Sequence, residues 1–119
     1  MNTYGEIVEF IMRHRSGAAF PDATPENIIP ELDKQIRNGT LAFSCDDTGH
    51  INGVMFGEVR GDEFYVQNIL TTSKAIAKRF MCWIVTQHSD TCKWITGNRH
   101  GKRMCRHEIK PSNFKYIYG

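Results

Sequence analysis

Ile7, Phe10, Ile11 and His14 recur at helical spacing on one face, with Glu6, Glu9 and Arg13 outside it, which predicts a short amphipathic helix from Tyr4 to His14. Ser16-Gly17 and Phe20-Pro21-Asp22 are turn signals, after which Thr24 reads as an N-cap with Pro25 at the first helical position. Ile28, Leu32 and Ile36 then repeat every fourth residue, and Asn38-Gly39 supplies a stop. Pro30 removes one amide from that helix, so the start is either Pro25 or, after a separate turn, Pro30 itself. From Thr40 the period changes. Leu41 to Cys45 and His50 to Val59 read as the arms of a hairpin around Asp46-Asp47-Thr48-Gly49, and Glu63 to Leu70 as a third antiparallel strand after Arg60-Gly61-Asp62.

Thr71-Thr72-Ser73 ends that strand with good helix caps, and Ala77, Phe80, Met81, Ile84, Val85 and His88 line one face of the helix that follows. Ser89-Asp90-Thr91 breaks it. Cys92 to Thr96 is a short strand, Gly97 to Lys102 a basic loop, and Met104 to Ile109 and Phe114 to Tyr118 two further short strands. The order predicts an α/β (α+β) fold: a mixed, mostly antiparallel sheet with two N-terminal helices and one central crossover helix. No linker, repeat or low-complexity run interrupts it, so residues 1–119 read as one domain.

At 119 residues there is room for one compact domain and not for a barrel or a two-domain enzyme. A chain of this length buries roughly two-thirds of its unfolded surface and needs neither disulfide nor metal to hold a core. No apolar run approaches the roughly 20 residues of a membrane helix. The first six residues have neither the basic region nor the apolar core of a signal peptide, so a cytoplasmic protein with four reduced cysteines is expected. The net charge of +2 hides a split. Residues 1–73 carry 5 basic and 11 acidic side chains, residues 74–119 carry 10 basic and 2 acidic, and the basic part is a surface suited to anions.

Over roughly residues 40 to 98 the chain resembles the GCN5-related N-acetyltransferase (GNAT) family. The resemblance is carried by the hairpin Leu41 to Val59 with Gly53-Val54 early in its second arm, by the strand Glu63 to Leu70, and by the loop Thr72-Ser73-Lys74-Ala75-Ile76-Ala77 that opens the main helix. In the family that loop has the form Gln/Arg-x-x-Gly-x-Gly/Ala and cradles a pyrophosphate, with backbone amides and the helix N-terminus facing the anion. Here Thr72 stands at the first position, Ala75 at the first glycine, and Ala77 where the family allows alanine. The resemblance implies acetyl-CoA (acetyl-coenzyme A) as cofactor, held by Thr72, Ser73, Lys74, Ala75 and Ala77. It also implies that the backbone of Asn68, Ile69 and Leu70 pairs with the pantetheine arm and that Asn98 lies near the end of the next strand.

The implied reaction is direct acetyl transfer to an amine of a protein or small molecule, which needs a base, donors for the thioester oxygen and an acid for the sulfur. Glu63 and Gln67, on one strand face with Tyr65, are the candidates for base or water positioning, and Tyr116 for the acid. Where the family continues with a helix, this chain has Arg99-His100-Gly101-Lys102-Arg103. Truncated members of this kind occur among small bacteriophage and prophage proteins. That implies a second function: a catalytically silent phage interaction protein, acting in virion assembly or host takeover through Arg99, His100, Lys102, Arg103 and Arg106.

Lys93 to Lys110 holds six basic residues and one acidic one, so non-specific nucleic-acid binding, with Trp94 or Tyr116 as a stacking platform, is a third reading. His88-x3-Cys92 and Cys105-x-His107 flank the expected strand Cys92 to Thr96. Structural zinc sites usually pair their ligands as Cys-x2-Cys, which is absent here, and no metal is expected.

Overall fold

A computed structural model describes residues 3–17, 19–99 and 103–108, with 98–99 and 103–108 described by their backbone alone. In chain order the elements are α1 (Thr3–His14), α2 (Pro25–Asn38), β1 (Leu41–Cys45), β2 (Ile51–Arg60), β3 (Glu63–Thr71), α3 (Lys74–His88), β4 (Trp94–Arg99) and β5 (Arg103–Glu108). The expected strand Phe114 to Tyr118 lies outside the described residues. The expected basic loop begins later than the glycine signal suggests, because Gly97 to Arg99 continue β4 and pair with β5.

α2 starts at Pro25 and runs through Pro30. Thr24 Oγ1 accepts from the Asn27 amide at 3.3 Å and Asn27 Oδ1 accepts from the Thr24 amide at 2.9 Å, a reciprocal cap that fixes the first turn. Pro30 lies inside the helix and cannot donate to the Glu26 carbonyl, so one backbone bond is missing there. Gly39 closes the far end at φ 68°, donating to the carbonyls of Gln35 and Ile36. The expected core stripe needs one correction. Ile28, Leu32 and Gln35 are buried, whereas Ile36 is 53% exposed. The third inward position is a three-residue step from Leu32, not four, and a polar side chain occupies it.

The five strands are ordered β1-β2-β3-β4-β5. β1, β2 and β3 form an antiparallel meander, β3 and β4 are parallel with α3 crossing between them, and β4 and β5 are antiparallel. The fold is therefore mixed α+β with a mostly antiparallel sheet. β2 is an interior strand whose middle, Gly53 to Gly57, is buried on both faces. Its Val54 and Phe56 join Ile7, Phe10, Ile11, Phe20, Ile28 and Leu32 under α1 and α2. Met55 joins Phe64, Ile76, Phe80, Ile84, Val85 and Ile95 under α3 on the other face.

Gly53 sets how closely α3 approaches: a Cβ there would come within 2.6 Å of Ile76 Cγ2. α3 buries Ile76, Phe80, Cys82, Ile84 and Val85, while Ala77, Met81 and His88 of the expected face are only half-buried. α1 similarly buries Ile7, Phe10 and Ile11 but leaves His14 exposed, its ring 4.6 Å from that of Phe10.

Candidate functional site

β3 and β4 pair over four residues only, Glu63↔Trp94 to Val66↔Gly97. The closed end is pinned by the β2–β3 turn, where the Asp62 carbonyl accepts from the amides of Lys93 at 2.6 Å and Trp94 at 3.3 Å. Past Val66 and Gly97 both strands run on, β3 to Thr71 and β4 to Arg99, without pairing to each other. The result is a fork opening toward the carboxyl ends of two parallel strands, on the side where α3 begins. Crevices at such ends are where α/β sheets take up ligands.

The fork starts at an irregularity in β3. Phe56 pairs with Asn68 and Gly57 with Val66, so Gln67 is an extra residue, a β-bulge that bends the strand away from its line. α2 reaches this point through Gln35, which is 1% exposed. Its Nε2 donates to the Gly57 carbonyl at 2.8 Å, and its Oε1 accepts from the Gly57 amide at 2.8 Å and from Thr40 Oγ1 at 2.7 Å. Gly57 lies one residue beyond the last β1–β2 pair, Leu41↔Phe56, so the carboxamide of Gln35 does what a neighbouring strand would do there.

Gln67 joins the same network, accepting from Gln35 Nε2 at 3.3 Å and donating to Glu58 Oε2 at 3.0 Å. Arg60 also donates to Glu58 Oε2, at 3.1 Å, and its guanidinium lies 3.8 Å over the Tyr65 ring. Hydrogen bonds from Arg60 first and Gln67 second hold the Glu58 carboxyl below the usual range, against a smaller opposing effect of burial. Beside the bulge, Asn68 Oδ1 accepts from the Phe20 amide at 2.9 Å. That bond secures the α1–α2 connection, where Phe20 takes φ 52° and sets its buried ring edge-on to Phe56 at 5.0 Å. On β4, Thr96 is 2% exposed with an unpartnered Oγ1.

At the open end, Ser73 caps α3, its Oγ accepting from the Ile76 amide at 3.4 Å. Thr72 donates through its amide to the Asn52 carbonyl at 3.1 Å, and Thr71 Oγ1 donates to the Ser73 carbonyl at 3.0 Å, which fixes the turn into the helix. Lys74 and Ala75 are exposed, and their amides, in the first turn, have no intrahelical carbonyl to bond. No acid stands in that turn, while Lys74, Lys78 and Arg79 are all exposed on the helix's first half.

The structure thus brings together Gln67, Asn68, Ile69 and Leu70 along the open arm of the fork and Thr72, Ser73, Lys74, Ala75 and Ala77 at its mouth. Glu63 sits apart from them, at the closed end, roughly 13 Å along the strand from Gln67 at about 3.3 Å per residue. Asn98 pairs with Met104 in the open part of β4, and Arg99, Arg103 and Arg106 belong to the β4–β5 ladder. His100, Lys102 and Tyr116 lie outside the described residues. Sequence reasoning missed Gln35, Glu58 and Thr96. Of these only Gln35 left a signal, a polar residue at the i+7 position of an apolar stripe.

His88 is half-buried, with Nε2 3.0 Å from the Gly39 carbonyl and its ring against Phe64 and Trp83. Among the described residues no group of three His, Cys, Asp or Glu could hold a metal ion, and no helix is long and apolar enough to cross a membrane. Comparison with protein-family models, with curated proteins and with solved structures finds no match for this chain.

Proposed function

We propose that this chain is a GNAT-like N-acyltransferase that takes acyl-coenzyme A into the β3–β4 fork and passes the acyl group to an amine, the thioester C–S bond breaking as the amide forms and coenzyme A leaving as the thiol with the amine's proton. One observation carries the reading: two parallel strands part after four pairs, at a bulge, beside the N-terminus of the crossover helix. The residues present fit such a cofactor. The open arm of β3, Asn68 to Leu70, is paired to β2 on one side and to no strand on its β4 side, and that second side is offered to an amide-bearing chain. The exposed first turn of α3 offers amides, the partial positive charge of the helix and the ammonium of Lys74 to a phosphate, and the unpartnered Thr96 hydroxyl lies next to Gly97, where the fork opens.

Bound there, acyl-coenzyme A supplies an activated thioester. The first-turn amides of α3 would hold its phosphates, and the side of β3 that faces away from β2 would orient the arm. Glu58, ion-paired with Arg60 at 3.0 Å, holds Gln67 at the bulge, and Gln67 is hydrogen-bonded between Glu58 and Gln35. Free thiols at Cys45, Cys82 and Cys92 suit the cytoplasm as the setting.

Thermal unfolding with acetyl-coenzyme A and with coenzyme A tests the reading. Ligand at about a hundred times its Kd adds roughly 2.7 kcal/mol to stability, a rise of several degrees for a chain of this length. No rise at millimolar ligand refutes it.

A further inference from the structure

β1 is the outer strand of the sheet, and among the described residues its only strand neighbour is β2. Natural edge strands are blunted by charges, proline or a covering element, because their free N–H and C=O groups invite another strand. β1 has none of these. It reads Leu-Ala-Phe-Ser-Cys, carries no charge and no proline, and leaves Phe43 45% exposed and Cys45 exposed. On the α3 face a groove of about 600 Å³ runs along it, walled by Leu41, Phe43 and Ser44 on one side and Arg79, Trp83 and Gln87 on the other.

The charges around this edge decide what fits it. α3 runs antiparallel to β1: Ile76 and Phe80 lie over Gly53, which pairs with Ser44, while His88 at the other end reaches Gly39, just before the strand. β1 is entered from Arg37, in the last turn of α2, and left through Asp46 and Asp47. α3 begins with Lys74, Lys78 and Arg79 and is followed by Asp90. Each element is therefore polar along its length. A two-fold axis reverses both at once. Two β1 strands paired antiparallel about Phe43 match Leu41 of each copy with Cys45 of the other, so the Asp46–Asp47 turn that follows one strand faces the end of α2, with Arg37, that precedes the other. The two α3 helices then lie antiparallel on one face, the basic start of each toward the C-terminus and Asp90 of the other.

From this edge and its charges, we propose that the chain forms a homodimer by antiparallel pairing of β1 with β1 of a second copy, joining two five-stranded sheets into one. The β1–β1 pairing is isologous and is separated from the β3–β4 fork by β2, so it stands whether or not the fork binds a cofactor.

Sedimentation equilibrium on the whole chain tests this at micromolar concentration. The expected mass is twice the 13.7 kDa of one chain. Phe43→Lys gives the mass of one chain with unchanged far-UV circular dichroism, since Phe43 is already half in solvent. Arg37→Glu and Asp47→Arg each weaken the dimer at least tenfold, and the two together restore it. A native chain that sediments at the mass of one copy overturns the proposal. So does a dimer that survives Phe43→Lys, or one whose charge reversals do not rescue each other.

Discussion

Replacing Gln35 by leucine removes one buried carboxamide while nearly keeping its volume, and the structure indicates what that costs. The Gly57 N–H and C=O lose both bonds that Gln35 makes to them, at 2.8 Å each, in a place that water does not reach. The Thr40 hydroxyl loses its acceptor but can turn to seek another. A buried backbone group left without a partner costs about 1–3 kcal/mol, so two give roughly 2–6 kcal/mol. Against a total of about 5–15 kcal/mol for a domain of this size, that is a large share. The melting temperature should fall by about 8–24 °C, at roughly 4 °C per kcal/mol.

Urea unfolding followed by the fluorescence of Trp83 and Trp94 reads the loss, and hydrogen exchange at Gly57 locates it. Thr40→Val, which deletes a single donor, should cost only about 1 kcal/mol. A loss below about 1 kcal/mol for Gln35→Leu, with the Gly57 amide still protected, would mean that the sheet re-pairs without the helix. The reasoning that α2 holds the bulge in place would then be wrong.

Two further outcomes follow from local geometry. Gly57→Ala drives a methyl into the buried Phe64 ring and should cost about 1–3 kcal/mol in urea unfolding, whereas Gly17→Ala, where a Cβ meets nothing, should leave stability unchanged or slightly raised. Asp46 accepts from the Thr48 hydroxyl at 2.6 Å and from the amides of His50 at 3.0 Å and Thr48 at 2.9 Å, bonds that hold its carboxyl below the usual range. A depressed folded-state pKa adds stability above the unfolded value that is lost as pH falls through the folded one, so Asp46→Asn should destabilise most near neutrality, and the gap from the parent should close in acid.

Much of the fold was legible because local signals agreed with it. Thr24-Pro25 and Asn38-Gly39 delimit α2, Ser73 starts α3, and turn residues separate β1, β2 and β3. What the chain does not announce is set by packing between distant elements. Gln35 is inward because α2 crosses β2 beyond the end of β1, and no periodicity distinguishes that from the exposed Ile36 one residue on. The bulge at Gln67 lies within an unbroken strand-like run, and only its register against Phe56 and Gly57 exposes it. Glu63, at the same strand parity as Gln67, read as its neighbour across one face; the four paired residues of β3 and β4 put it instead at the closed end of the fork. The α3 N-terminus was legible as a loop, but its setting beside an opening between parallel strands is a property of the sheet.

The central claim is that the fork and the first turn of α3 form one cofactor site, and amide chemical-shift mapping during titration with coenzyme A addresses it directly. Saturable shifts are expected at Gln67 to Leu70, Thr72 to Ala77 and Thr96 to Asn98, with the β1 edge undisturbed. Shifts absent at millimolar ligand, or gathered anywhere other than the open end of β3 and β4, would contradict it.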